Sequence, residues 1–142
     1  MISRMKARSG FTLLELLVVA AIVALLLAIV MPQLTEAQKL MDCRQRLGNL
    51  RAAINNFYTW AATDDGGGKA RFPTIEGLQI AGKVMTDGVP DNPFSDGEIK
   101  NDVVDATGLP KGTIVGKTGA WCYNSSTGEI WPNTATVGEN MW

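Results

Sequence analysis

Few side chains in this sequence can do chemistry. The 142-residue chain has no histidine, which removes imidazole acid–base catalysis, Ser-His-Asp and Cys-His nucleophile systems, and histidine-ligated zinc. Its only cysteines are Cys43 and Cys122, and two thiolates alone do not complete a structural zinc site. Outside the cytoplasm these two could pair as a disulfide; the alternative is two unpaired thiols packed as small hydrophobes. Asp91, Asp96, Glu98, Asp102 and Asp105 are near enough in sequence to gather round an ion. Any hydrated acidic loop shows the same pattern, so no metal or other cofactor is expected, and calcium lacks support. No Gly-rich Lys-Ser/Thr phosphate loop is present. One carboxylate stands apart. Glu15 is the lone charge in the almost wholly apolar stretch Phe11–Met31. A carboxylate in such a span costs ~2.5–3.5 kcal/mol at a helix centre, less near an end, and is a functional candidate whose partner must be named. The plainer alternative is a Glu15 close enough to the interface to stay wet.

The element that holds Glu15 is the apolar stretch itself. At 21 residues it matches the roughly 20 needed to cross a bilayer core as a helix. Arg4, Lys6 and Arg8 precede it with no acid among them, so the positive-inside rule keeps residues 1–10 in the cytoplasm and sends the body across. A cleaved secretory signal fits less well. The apolar core is long, it ends in Met31-Pro32-Gln33-Leu34 without an A-x-A pattern, and a helical pattern continues beyond it. A plain signal anchor fits the length but leaves Glu15 unexplained. Formal net charge is −1; without the three leader cations, 13 basic side chains become 10 against 14 acidic, or −4. A mildly acidic body argues against a general nucleic-acid binder.

Ser9-Gly10-Phe11-Thr12-Leu13-Leu14-Glu15, behind its basic leader, resembles the class III leader of type IV pilins, pseudopilins and related subunits. The resemblance implies that a prepilin peptidase cuts between Gly10 and Phe11 on the cytoplasmic face and N-methylates Phe11. It also implies that Glu15, fifth in the mature chain, faces the N-terminal amine of Phe11 in a neighbouring subunit. Two opposite charges in a dry helical core offset each other's burial.

Beyond Met31, Pro32 removes a backbone donor and is expected to be a soft point in the helix. Leu40, Leu47, Leu50, Ile54, Phe57 and Ala61 then recur at three, four or seven, one apolar face of an amphipathic helix. Lys39, Arg44, Arg46 and Arg51 read as its solvated face or as contacts between subunits. Asp64-Asp65-Gly66-Gly67-Gly68 ends it. Phe72-Pro73-Thr74 opens a short helix, Val89–Gly97 is turn chemistry, and 102–115 holds one or two weak strands. Trp121-Cys122-Tyr123 and Glu129-Ile130-Trp131 flank a Ser125–Gly128 hairpin loop. Trp121, Tyr123 and Trp131 are expected on the helix stripe or at the sheet edge, with Cys122 pointing the other way.

The head extends the resemblance. Trp121-x-Tyr123 with Thr127-Gly128-Glu129-Ile130 resembles a hairpin common in pilin-like heads, and Pro73-Thr74 with Gly77-Leu78 is similar to a segment of major pseudopilins of type II secretion systems. Asp91-Asn92-Pro93-Phe94 departs from their Asp-Pro-Trp-Gly turn, and their acid-rich, calcium-holding C-terminal loop is not evident. The expected fold is α+β, a long N-terminal helix on a small antiparallel sheet. It divides into leader 1–10, assembly helix 11–31, amphipathic helix 32–63 and head 64–142. The implied protein is a filament subunit, not an enzyme. It is a single-pass inner-membrane protein with a periplasmic head, then part of a filament. Its implied partners are its own copies, minor subunits, the prepilin peptidase, an assembly platform with its ATPase, and lipid before assembly; no nucleic acid is expected. A pseudopilin is the leading reading and a pilus pilin the alternative. A membrane-anchored enzyme or binding module is the rival of another class.

Overall fold

The structure, a computed structural model, describes residues 11–142. The leader and Gly10, half of the expected cleavage junction, lie outside the described residues. Helix α1 runs Leu13–Ala61 and a short α2 runs Ile75–Gln79. Strands β1 (Val103–Asp105), β2 (Trp121–Asn124) and β3 (Glu129–Pro132) follow, then a single 3-10 turn at Glu139–Met141. The chain divides into two compact units after Ala37. It is an α+β arrangement, a long N-terminal helix packed on a small sheet, consistent with the pilin fold.

Within the second unit the core is built on the apolar stripe of α1. Cys43, Leu47, Leu50, Ile54 and Ala61 are buried, with Leu40 and Phe57 half-buried. The three-four spacing puts these side chains on one face. Cys43, Leu47, Leu50 and Ile54 share a cluster with Leu78, Val103, Trp121, Tyr123 and Ile130. The helix ends where Ala62 N–H bonds to the Thr59 carbonyl and Thr63 N–H to the Trp60 carbonyl. Short i→i+3 bonds of this kind close the last turn. Thr74 caps α2, its hydroxyl accepting from Gly77 N–H at 3.1 Å.

The sheet has order β1-β2-β3 and is mixed, which corrects the antiparallel expectation. β2 and β3 form the antiparallel hairpin, but β1 lies parallel to β2. A parallel pair needs a connection of about a dozen residues or more to return the chain to its starting end. Residues 106–120 supply it without a helix, so no periodicity announced it. That connection also covers the second face of the sheet. Trp131 opposes Cys122 across the hairpin, and both pack with Ala106, Val104 and Val115 in a separate cluster. Trp131 therefore sits on the edge strand, on the face away from α1, while Trp121 and Tyr123 join the cluster on the helix stripe. Gly128 permits the hairpin's approach. Its φ is 74° and a Cβ there would strike the Phe72 ring, which stacks on Tyr58 at 4.6 Å.

Buried polar side chains pin this small core. Asn92, fully buried, donates to the Ala120 carbonyl at 2.8 Å and to the Thr134 hydroxyl at 3.2 Å. Its oxygen accepts from Phe94 N–H at 3.0 Å and from the Cys43 thiol at 3.7 Å. Asn133 does the same on the other face. It donates to the Val115 and Gly119 carbonyls and accepts from Val115 N–H and the Cys122 thiol. Trp121 Nε1 bonds to the Pro90 carbonyl at 2.8 Å and Tyr123 Oη to the Pro73 carbonyl at 2.9 Å.

Two of the helix cations bond main-chain oxygens of the head. Arg46 donates to the Asp91 carbonyl at 2.9 Å, and Arg51 to the main-chain oxygens of Ile130 and Trp142. Burial pushes the Arg51 guanidinium's pKa down, against the opposing pull of Glu129. Arg44 lies 4.5 Å from the Trp142 ring centroid, a cation–π contact.

Glu139 is fully buried. Burial alone would raise its pKa, but hydrogen bonds from Thr134 and the main-chain N–H groups of Val137, Glu139 and Thr136 outweigh this, and the net shift is down. A depressed folded-state pKa gives stability that is present above the ordinary value of 4.5 and is lost as pH falls through the folded value. The Glu139→Gln chain is therefore expected to show a flatter acid limb below pH 4.5, measured by unfolding of the detergent-solubilised chain. Asn92→Ala is expected to lose about 2–4 kcal/mol in the same assay, because it leaves buried donors and acceptors unpaired. The exposed Asn101→Ala should stay within about 0.5 kcal/mol of the parent.

Candidate assembly site at the start of the helix

In the first unit every residue from Phe11 to Pro32 is exposed, although this is the most apolar part of the chain. Leu13 is 84 % exposed and Leu25 67 %. An apolar helix face so long and uncovered belongs to a membrane or to a protein interface. The helix is long and apolar enough to cross a bilayer. Its backbone groups bond within the segment, as a hydrocarbon surrounding demands. Pro32 lies inside α1, which continues past it to Ala61. Proline lacks the N–H that would bond the Ala28 carbonyl. One turn on, the Thr35 hydroxyl bonds the Met31 carbonyl at 3.1 Å.

Glu15 occupies the third position of α1, and Thr12 is the residue just before the helix. The two are joined reciprocally. Glu15 N–H donates to Thr12 Oγ1 at 3.2 Å. Glu15 Oε2 accepts from Thr12 N–H at 2.9 Å and from Thr12 Oγ1 at 3.0 Å. This is a capping box, which satisfies two otherwise orphaned donors at a helix start. The negative side chain also lies at the positive end of the helix dipole. Phe11, 71 % exposed, is non-helical and precedes the box. The Thr-x-x-Glu spacing is itself a helix-start signal in the sequence, and it identifies Thr12, which the charge of Glu15 alone does not.

Cys43 and Cys122 do not form a disulfide. Both are free and fully buried. Cys43 belongs to the helix-side cluster and Cys122 to the opposite one, so the sheet separates them. The two-residue alternation along β2 causes this: Trp121 and Tyr123 face the helix, and Cys122 between them cannot. Burial raises each thiol to about 11; Glu139 adds to the effect at Cys43 while Arg46 opposes it, and a Val115 main-chain hydrogen bond opposes it at Cys122.

Two of the head's acidic candidates accept hydrogen bonds. Asp102 accepts from Gln79 Nε2 at 2.7 Å and from Val103 N–H at 2.9 Å, and Asp105 from Thr107 N–H at 2.8 Å. Among the described residues no group of three or more His, Cys, Asp or Glu could hold a metal ion. The head's grooves are shallow. One of about 310 Å³ is lined by Asn56, Phe57, Trp60, Lys83 and Val84.

Residues 5–31 match the family described as the prokaryotic N-terminal methylation motif. No curated protein and no solved structure matches the chain. The match covers the basic leader's end, the Gly10–Phe11 junction, Glu15 and the apolar stretch, and stops before Pro32. The N-terminus is thus type IV pilin-like, a class III leader followed by an apolar helix. A leader of this type implies processing by a prepilin peptidase and polymerisation into a filament. It indicates a structural subunit anchored in a membrane.

The head makes its own prediction. At pH 8 iodoacetamide should modify neither thiol of the folded chain and both in strong denaturant, read by intact mass. Because both folded values are raised from 9.0 to about 11, thiol protonation favours the folded state below pH 9. That contribution is lost as pH rises between the two values. Modification of one cysteine in the folded chain at the rate seen in denaturant would place it outside the core.

Proposed function

We propose that this chain is a subunit of a type IV filament, most consistent with a pseudopilin of a type II protein secretion system. The single observation that carries the filament reading is Glu15: one carboxylate on an otherwise apolar, uncovered helix, inside the matched methylation motif. The leader is removed between Gly10 and Phe11, Phe11 is N-methylated, and residues 11–31 wait in the inner membrane with the head in the periplasm. Glu15 then pairs with the Phe11 amine of a neighbouring copy. That pairing offsets the carboxylate's burial and fixes the axial register between subunits. Pro32 acts as a soft point where the helix adjusts on leaving lipid. An inner-membrane platform with its ATPase drives assembly, minor subunits join the filament, and no cofactor or nucleic acid takes part.

The Pro73-Thr74…Gly77-Leu78 segment supports the pseudopilin reading, and the Thr127-Gly128-Glu129-Ile130 hairpin supports a pilin-like head of either kind. The Asp91-Asn92-Pro93-Phe94 turn favours the second reading, a pilus pilin used for adhesion, motility or DNA uptake. There Asn92 organises the turn through its side chain in a way proline could not.

Glu15→Ala is expected to insert and mature normally but to polymerise at least about tenfold less, since a buried charge pair loses several kcal/mol with one partner gone. The check is sheared or secreted filament measured against mature membrane-resident subunit. Polymerisation at the parental level would reject charge pairing as the docking interaction. A membrane-anchored enzyme would instead keep its activity with residues 11–31 deleted.

A further inference from the structure

Glu15 does not wait for a neighbour with a bare carboxylate. Both donors of Thr12, the amide and the hydroxyl, converge on Oε2 at 2.9 and 3.0 Å. Among the described residues Oε1 receives no hydrogen bond. An ionised carboxylate offers about four acceptor positions, so Thr12 fills two and leaves those of Oε1 open. The Thr12 hydroxyl is also fixed from its other side, because it accepts Glu15 N–H at 3.2 Å. Carboxylate and hydroxyl therefore hold each other in one orientation, at the end of a helix whose residues from Leu16 to Met31 are all apolar.

We infer that Thr12 is a positioning residue for subunit docking: it holds Glu15 through Oε2 and presents Oε1 to the N-terminal cation of a second copy of this chain. This deepens the filament reading and rests on it. Two consequences follow from the geometry. Before docking, the two hydrogen bonds replace part of the hydration that the carboxylate loses beside lipid. On docking, the incoming ammonium meets a carboxylate already in one rotamer, so no side-chain freedom is lost and the capping box stays intact. The neighbour's cation adds to the Thr12 contacts rather than displacing them.

The test separates this role from simple helix capping. Thr12→Val removes the hydroxyl at nearly constant volume. Thr12→Gly keeps most of the capping preference, since glycine at this position loses only a few tenths of a kcal/mol, but it too lacks the hydroxyl. Thr12→Ser keeps both. Filament formed per mature, membrane-resident subunit is measured for each full-length chain in its host, with Glu15→Ala alongside. Thr12→Val and Thr12→Gly are expected to assemble about fivefold less than the parent, the effect of one lost hydrogen bond. Thr12→Ser should stay within about twofold, given its similar capping strength. Parental assembly by Thr12→Val overturns the inference. So does parental assembly by Thr12→Gly, which would reduce Thr12 to a helix cap, and so does a Thr12→Ser chain as poor as the valine variant. If these outcomes occur while Glu15→Ala is still defective, the filament reading stands and only the role of Thr12 falls. If Glu15→Ala also assembles normally, charge-paired docking falls with it.

Discussion

An apolar helix that its own chain does not cover must be covered by something else, and much of this molecule follows from that constraint. Phe11–Pro32 is exposed throughout, so water is an unfavourable surrounding for it. A bilayer serves for a helix of this length, and so does a bundle of identical helices. Glu15 makes the two surroundings unequal. Among the described residues only Thr12 bonds its carboxylate; in the proposed filament a neighbouring copy adds a full positive charge. In the proposed filament the residue that burdens the membrane state thereby favours the assembled one, and its place near the start of the helix sets where the next subunit stops.

The second unit meets a different demand, that of a small domain with little core to spare. Its apolar cluster rests on one stripe of α1 and two strand faces. The order of the loops comes from polar side chains with no free valence: Asn92 at the 90–94 turn, Asn133 at the crossover, Glu139 at the last turn. Each is buried and each is satisfied, with no buried side-chain polar atom left unpaired among the described residues. Networks of this kind specify one arrangement because every alternative strands a donor or acceptor. Arg46 and Arg51 extend the principle to the helix, tying it to main-chain oxygens by charge-assisted bonds.

How much of this was legible in the sequence depends on the range of the interaction. The helix, its stripe and the β2–β3 hairpin follow from periodicity and turn chemistry, and they appear where Leu47, Leu50, Ile54 and Ser125–Gly128 place them. The parallel pairing of β1 was not legible, because Val103–Asp105 is only three residues long and its partner lies across a connection without pattern. The face taken by Trp131 depended on hairpin register, which residue spacing alone did not settle. Free cysteines on opposite sides of the sheet have the same origin. At the helix start the converse holds. The Thr12–Glu15 box is local, four residues long, and fully encoded in the spacing, although the charge of Glu15 alone does not point to Thr12.

The most direct measurement is the intact mass and N-terminal sequence of the protein extracted from the membranes of its native host. The account predicts a chain beginning at N-methylated Phe11, with Gly10 and everything before it gone. A chain still beginning at Met1 would make residues 11–31 a plain signal anchor. A chain beginning after Met31 would make them a discarded export signal. Either result would contradict a filament subunit, because both the cation and the position of Glu15 relative to it would be lost.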